Sequence, residues 1–343
     1  MMNNSTRVLI AFLLSAVGFS FAEQYLPRAT VRPPNQMIWR DPGPVERLDF
    51  VGGPGGRERA PQPPFHFIDE DDEGTNPKVK VRDSRGAVWS VKWGDEVHSE
   101  TFASRIAWAA GYFVQPIHFV PRGRIKGASG LKRAKNHIGP DGNFSAARFQ
   151  LRDPRIKFLQ DEDWTWTFNP FVGTRELNGL KIVMMLTSNW DNKDARDVDR
   201  GSNTGILQDS VQGHKRFRYL VTDWGGSMGK WGTVMGRAKW DSEGYASQTP
   251  HFIQKVEGGV VKWGYHGQRT SDAVDDISVA DLRWLMRYVG RITDTQIRAG
   301  LRASGATAAE LKSFAPAIRA RIEQMRSAAR SQPRPVAVSR KRH

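Results

Sequence analysis

The sequence contains no cysteine. Disulfide bonds, thiolate metal ligands and thiol nucleophiles are therefore excluded, and the fold must rest on its core alone. Short catalytic signatures are also missing, because no His-Glu-x-x-His pair suits zinc and no Gly-x-Ser-x-Gly segment suits an α/β-hydrolase nucleophile. Beyond the first 21 residues, no apolar run is long enough to span a membrane. The sequence thus disfavours thiol, zinc-protease and typical hydrolase chemistry.

Apolar and basic residues are plentiful. Hydrophobic residues make up 39% of the chain, with 12 Trp and 17 Phe, which is enough apolar surface for a sizeable core. The 51 Lys and Arg residues outnumber the 36 Asp and Glu residues, and the net charge of +15 favours anionic neighbours such as an envelope surface. Nucleic acid is not favoured, since no recognition motif accompanies the charge. We interpret the basic stretch 122–135 as solvated surface.

The chain begins like an exported protein. An apolar run from Val8 to Phe21 is followed by small residues up to Ala22, which predicts a signal peptide over residues 1–22. Cleavage near Ala22 would release a periplasmic or secreted protein. Residues 23–74 are rich in Pro and Gly and predict an extended arm or linker.

The remainder predicts an α+β protein in two lobes. Alternating residues indicate a β-hairpin over 78–93, and Ala103, Ile106 and Ala107 recur at helical spacing in a helix over 95–110. A buried helix over 174–188, a strand pair and three capping-box helices follow. We therefore predict a β-rich N-lobe over 75–170, a mainly helical C-lobe over 171–318 and a disordered basic tail over 319–343.

Candidate chemical residues lie at the joints between these elements. Lys92 ends the second hairpin strand, and Glu100 lies on the next helix, where it can pair with Lys92. Asp191 and Lys193 follow the buried helix in a charged loop, and Asp223 ends an apolar strand in the segment Asp-Trp-Gly-Gly. Singly, each has an ordinary alternative: a surface lysine, a solvated turn, or an Asp that caps its own backbone. Their order along one chain favours a shared site.

This combination resembles the protein-kinase-like fold, in its distant HipA-type and secretory-pathway branches. Within residues 173–225, the segments Gly-Thr-Arg-Glu-Leu-Asn-Gly-Leu-Lys and Asn-Trp-Asp-Asn-Lys-Asp resemble a group of uncharacterised exported bacterial proteins. The resemblance implies a phosphotransferase that moves a phosphoryl group from ATP or a related nucleotide, with Mg²⁺ or Mn²⁺, to an unknown protein, sugar or lipid acceptor. Lys92 would position phosphates and Glu100 orient Lys92. Asp191 and Lys193 would be catalytic, and Asp223 and Asp197 would hold metal.

Two departures keep an alternative open. No Gly-x-Gly-x-x-Gly loop is present, and the first hairpin offers only the turn from Asp83 to Gly86 to cover phosphates. Arg196 stands where kinases place a metal-binding Asn, so that Asp197 or Asp194 would take that role. The alternative is a non-catalytic, kinase-like envelope protein that binds an anionic polymer or a partner protein.

Overall fold

The structure is a computed structural model that describes residues 35–71, 76–159, 164–191, 203–268 and 270–331. The predicted signal peptide, with its cleavage point near Ala22, lies outside these ranges, and export stays a prediction. Among the described residues, no helix combines the length and the hydrophobicity needed to cross a bilayer.

A closed five-stranded barrel forms the first half of the described chain. Its strands occur along the chain as β2 (Phe65–Asp71), β3 (Lys78–Arg82), β4 (Val88–Lys92), β5 (Ile117–Lys126) and β6 (Asn143–Arg152). Around the barrel the order is β2-β3-β4-β6-β5, and a short parallel pairing of β2 with β5 closes it. Alternate side chains point inward, as expected for strands with one buried face, and fill the interior with Val79, Val81, Trp89, Val91 and Phe149.

A four-stranded sheet and a set of helices form the rest. The sheet has the order β1-β9-β8-β7, and a separate hairpin pairs β10 with β11. The strands are β1 (Gln36–Met37), β7 (Lys157–Leu159), β8 (Thr204–Val211), β9 (His214–Val221), β10 (Ile253–Glu257) and β11 (Val260–Trp263). The helices are α1 (Val97–Ala109), α2 (Arg175–Leu186), α3 (Ser242–Gln248), α4 (Ser271–Val274), α5 (Val279–Met286), α6 (Asp294–Ala303) and α7 (Ala308–Arg330).

These elements confirm the predicted α+β class, with a β-rich N-terminal part and a helical C-terminal part. The hairpin, the helix after it and the buried helix α2 lie where the residue pattern predicts them. All three capping boxes are formed, at Ser278, Thr293 and Thr307, because each side chain accepts the N3 backbone N–H that the helix leaves unpaired. The lobe boundary at residues 170 and 171 stays a prediction.

The predicted arm over residues 23–74 is wrong for residues 35–71. Strand β1 pairs with β9, strand β2 closes the barrel, and the segment between them packs its backbone on buried side chains. Gln296 donates hydrogen bonds to the carbonyl oxygens of Val45 and Leu48, and the buried Arg105 donates to those of Phe50 and Val51. Proline and glycine here mark 3-10 turns rather than an extended linker.

The predicted disordered tail over residues 319–343 is wrong for residues 319–330. Helix α7 continues to Arg330 and buries Arg321, Ile322 and Met325 in the helical core. The basic residues misled the prediction because arginines alternate with apolar residues at helical spacing, and one arginine is itself buried. Residues 332–343 lie outside the described residues.

Candidate active site

Strand β4 delivers Lys92 into a buried ion-pair cluster at its C-terminal end. The residue is 5% exposed, and it pairs across the sheet with Lys78 on β3 and Arg148 on β6. The Lys92 Nζ atom lies 2.5 Å from Glu100 Oε1 and 2.5 Å from Glu96 Oε2. Burial opposes the charge, but attraction by Glu100 and Asp223 outweighs it and raises the pKa of Lys92. Lys92 is therefore a fixed, permanently charged cation at neutral pH.

Helix α1 presents Glu100 from its first turn to Lys92 and to a second cation. Arg148 Nε lies 2.6 Å from Glu100 Oε2, and both side chains are almost fully buried. Burial alone would raise the pKa of Glu100, yet Arg148 and Lys92 lower it to about 2. The predicted Lys92–Glu100 pair is thus formed, with Arg148 as an additional partner.

Glu96, directly before α1, pairs with several surrounding polar side chains. Besides Lys92, its carboxylate accepts hydrogen bonds from Lys239 at 3.0 Å and from the Asn76 amide at 2.6 Å. Burial opposes ionisation, but Lys92 and Lys239 lower the pKa of Glu96. Glu96 therefore joins the barrel, α1 and the chain after β9 at one point.

Asp223 enters the cluster from the end of β9. Its Oδ1 accepts the backbone N–H of Gly225 at 2.6 Å, and its Oδ2 lies 4.0 Å from Lys92 Nζ. Burial and the nearby Glu100 raise the pKa of Asp223 to about 6, against the opposing effect of Lys92. About a third of the side chain stays exposed, at 34%, compared with 7% or less for Lys92 and Glu100. A ligand would therefore reach the cluster at Asp223.

Asn189 connects Asp223 with Asp191. The Asn189 side chain donates to the Asp223 carbonyl at 3.2 Å and accepts the Asp191 backbone N–H at 3.2 Å. Asn203 holds Asp191 from the other side, with hydrogen bonds to its carbonyl at 2.6 Å and its Oδ2 at 3.2 Å. The loop after α2 and the turn after β9 are thereby locked together.

Two glycines permit this close approach. A Cβ on Gly225 would lie 2.7 Å from the Glu96 carboxyl carbon, and one on Gly226 would lie 2.7 Å from the Asp191 Cβ. Contacts this short are not tolerated between carbon atoms, so a larger residue would push the carboxylates apart. The Gly225-Gly226 pair therefore lies between Asp191 on one side and Glu96 and Asp223 on the other.

Three carboxylates suit a divalent cation. Glu96, Glu100 and Asp223 each offer an oxygen within 4.8 Å of the others. Mg²⁺ and Mn²⁺ prefer such oxygen ligands. The raised pKa of Asp223 has its cause in burial beside other carboxylates, and a bound cation would relieve this repulsion. The residues present fit the metal that the sequence predicts, with Glu96 and Glu100 beside Asp223.

The structure brings together four of the six predicted site residues. Lys92, Glu100 and Asp223 share one cluster, and Asp191 lies across the glycine pair. Lys193 and Asp197, like Arg196, fall outside the described residues, and their roles stay predictions.

The sequence analysis considered the wrong turn as a cover for phosphates. The turn from Asp83 to Gly86 joins the ends of β3 and β4 that lie away from Lys92, and the Asp83 side chain holds it closed through the N–H groups of Arg85 and Ala87. At the Lys92 end of the barrel lie the end of β2 and the start of β3, because Lys78 pairs with both Asp71 and Lys92. Between these two strands, Asn76 already bonds Glu96, and residues 72–75 lie outside the described residues. The error arose because β2 was assigned to the arm.

Sequence reasoning missed several residues that hold the site. Glu96, Arg148, Asn189, Asn203 and Lys239 were not predicted as site residues. Strand alternation gives no signal for Arg148, because it lies between Ala147 and Phe149, whose side chains fill the barrel interior, and therefore faces the other way. No signal in the residue pattern identified Lys239, which reaches Glu96 from 143 positions away.

Comparison with known proteins adds little to this geometry. No family model matches the chain, and no curated protein matches it. The chain is similar to the solved structure described as "Crystal structure of the golgi casein kinase", with 10% identity and a TM-score of 0.35 over 86% of this chain and 80% of that one. A likeness at this level supports no activity. The element order and the α+β arrangement are themselves consistent with a distant protein-kinase-like fold.

Proposed function

We propose that the protein is a kinase-like phosphotransferase that uses ATP or a related nucleotide. The observation that carries the proposal is the buried Lys92–Glu100 ion pair, which joins a barrel strand to the following helix beside Asp223. A phosphate-binding lysine needs such a carboxylate to fix its position, and phosphoryl transfer depends mainly on positioning and electrostatics. Neither the donor nor the acceptor is identified by these contacts.

Each residue has a defined role in this proposal. Lys92 presents a compact cation to the phosphate oxygens, and Glu100, held by Arg148, keeps that cation in place. Asp191 orients the acceptor hydroxyl and accepts its proton. Asp223, with Glu96 and Glu100, would hold Mg²⁺ or Mn²⁺, which supplies positive charge to the phosphate oxygens when bound. Lys193 and Asp197 would add a second cation and a further carboxylate.

Thermal unfolding of residues 23–343 with ATP and Mg²⁺ or Mn²⁺ tests the nucleotide site. A ligand at about 100 times its Kd adds roughly 2.7 kcal/mol to the free energy of unfolding, so the wild type should melt at a higher temperature. Asp223→Asn should lose the shift because it removes a metal ligand. The matched control is Glu257→Gln, which changes an exposed carboxylate on β10 and should keep the full shift.

Asp191→Asn separates binding from chemistry. If Asp191 acts on the acceptor hydroxyl, the variant keeps the nucleotide-dependent shift and loses phosphoryl transfer or ATP hydrolysis by at least a factor of about 100. Undiminished turnover in both Asp191→Asn and Asp223→Asn would refute the assignment.

One observation favours the non-catalytic alternative. Lys92 already lies 2.5 Å from each of two carboxylates, so that little of its hydrogen-bonding capacity is left for phosphate. In that case neither nucleotide nor metal shifts the melting temperature of the wild type, while the protein still binds an anionic polymer or a partner protein. The thermal measurement above distinguishes the two functions directly.

A further inference from the structure

A second large concave site lies at the far end of the barrel hairpin. A cavity of about 1160 Å³ is lined by residues from the β3–β4 turn, the end of α1, the end of β6 and the segment before β2. Val88 borders this cavity, whereas Lys92 lies four residues further along the same strand. Four residues of extended strand span about 13 Å, so the cavity and the candidate active site are separate places.

Cationic side chains dominate the cavity wall. Seven arginines line it, against three carboxylates, Asp49, Glu58 and Asp153. Two of these carboxylates are already occupied, since Asp49 pairs with Arg57 and Asp153 pairs with Arg155. Among the described residues, the wall therefore carries an excess of positive charge.

Five of the lining arginines form no ion pair with any residue that the structure describes. They come from different parts of the chain and converge on one concavity: Arg40, Arg47, Arg59, Arg82 and Arg152. Unpaired arginines are ordinary on a convex surface, where water solvates them separately. These five arginines are exposed at the rim of one open concavity, where their like charges add and produce a positive potential over it.

The wall arginines Arg40 and Arg218 show the repulsion between such like charges. Burial lowers the pKa of Arg218, and Arg216 and Arg40 lower it further, although Asp209 opposes them. The Arg40 and Arg218 guanidinium carbons lie 5.9 Å and 5.8 Å from the centre of the same Phe113 ring. An anion between the walls would relieve this crowding of like charges.

We propose that this cavity binds a ligand with several phosphate groups. A guanidinium donates two parallel N–H bonds to phosphate oxygens, and each phosphate monoester brings about −1.5 to −2 charge at pH 7, so a few groups balance the wall. The cavity volume exceeds that of one phosphate, and the arginines lie on separate walls. A ligand that contacts arginines on more than one wall therefore needs several linked phosphate groups. Half-buried apolar side chains between them, such as Trp108 and Val114, would contact the scaffold that carries the phosphates.

Isothermal titration calorimetry with sodium tripolyphosphate tests the site on the full chain. The ionic strength is held constant with sodium chloride, and a chelator removes metal ions. We expect a single site whose Kd rises at least tenfold in the double variant Arg59→Gln, Arg152→Gln. The pair Arg40→Gln, Arg47→Gln provides an independent test if the first variant unfolds, since it changes other parts of the wall.

Two controls locate the binding. The double variant Arg298→Gln, Arg302→Gln removes the same charge from exposed positions on α6 and should leave the Kd unchanged. Lys92→Met should also bind as the wild type does. If the α6 variant weakened tripolyphosphate binding as much as the cavity variants do, the attraction would be due to net charge alone. If only Lys92→Met lost binding, tripolyphosphate would bind in the candidate active site. Either result, or no binding by the wild type, overturns the proposal.

Vesicle flotation identifies the source of the phosphates. Vesicles containing cardiolipin, whose headgroup links two phosphates, would indicate a lipid headgroup as the ligand if the wild type captures them and tripolyphosphate releases them. Tripolyphosphate binding without vesicle capture would indicate a soluble phosphorylated compound. Both outcomes retain the arginine cavity as the binding site.

Discussion

At the scale of single residues, Arg148 decides whether Glu100 can be ionised inside the protein. Glu100 has two cationic partners, and only Lys92 is also expected to face a ligand. Removing one partner from a buried ion pair leaves the other charge uncompensated. Arg148 therefore supports the site without needing to touch the nucleotide.

We expect Arg148→Met to lower the free energy of unfolding by about 3–5 kcal/mol, the usual cost of breaking a buried ion pair. Urea unfolding at pH 7 measures the change. The double variant Glu100→Gln, Arg148→Met should lose less than the sum of the two single variants, because both remove the same interaction. Arg155→Met, which removes the exposed arginine that pairs with Asp153, is the control and should cost less than about 1 kcal/mol. Additive effects in the double variant would contradict the coupling.

A second residue-scale prediction concerns His118, which is buried between cationic side chains. Its Nε2 atom has no hydrogen-bond partner among the described residues, and burial, with Arg105 and Arg85, lowers its pKa from 6.5 to about 4. The unfolded chain binds this proton more readily than the folded protein does. The contribution of neutral His118 to the free energy of unfolding is therefore complete above pH 6.5. It is lost as the pH falls toward 4, and the loss is at most about 3 kcal/mol.

His118→Gln should flatten this part of the pH dependence. Urea unfolding at pH 7 and at pH 4.5 gives the difference for the wild type, for His118→Gln and for His214→Gln, an exposed control on β9. An unchanged difference in His118→Gln would assign the acid sensitivity to other groups.

At the scale of elements, helix α7 holds the loop that carries Asp191. Arg321 on α7 is fully buried and donates to the Leu186 carbonyl at 3.2 Å and to Ser188 Oγ at 2.7 Å. Its guanidinium carbon lies 3.5 Å from the centre of the Tyr245 ring, and burial lowers the pKa of Arg321 to about 10. The helix therefore fixes the chain just before the candidate catalytic loop.

Arg321→Lys should lower the free energy of unfolding nearly as much as Arg321→Met does. An ammonium cannot reproduce a planar fork that donates to several acceptors and stacks on a ring, so each variant should lose about 3 kcal/mol or more. Thermal and urea unfolding measure the loss, with the half-exposed Arg326→Lys as the control. Full stability in Arg321→Lys would show that charge alone suffices.

The predictable elements are those whose evidence lies within a few residues. The hairpin, α1, α2 and the three capped helices follow from local periodicity and capping residues. The pairing of Lys92 with Glu100 is also local, since they lie eight residues apart. Strands β1 and β2 were not predictable in this way, because their flanks are rich in proline and glycine and because β1 and one edge of β2 pair with strands far along the chain. The same distance hid Lys239 and Asn203.

At the scale of the whole molecule, residues 35–71 are structural. They add a strand to the barrel and one to the second sheet, and they satisfy the buried donors of Arg105 and Gln296. A chain that begins at residue 75 would leave an open barrel and two buried polar groups without partners.

We therefore expect a protein of residues 75–343 to fail to unfold cooperatively, whereas residues 35–343 should retain the stability of residues 23–343. Circular dichroism during heating measures both. Point substitution Gln296→Ala provides a milder test and should cost about 1–3 kcal/mol, since two backbone carbonyls lose their donor. If the protein of residues 75–343 were stable and unfolded cooperatively, the segment before residue 75 would be a dispensable linker, contrary to this prediction.

The placement of β1 and β2 also sets the order in which the chain can fold. Strand β2 pairs first with its neighbour β3 and closes the barrel against β5 about sixty residues later, whereas β1 pairs with β9, about 180 residues later. A ribosome or an export channel releases β1 before any other described strand, yet its partner β9 follows only after the middle of the chain. Strand β1 is thus among the last strands to be paired, and such distant closure makes folding slow.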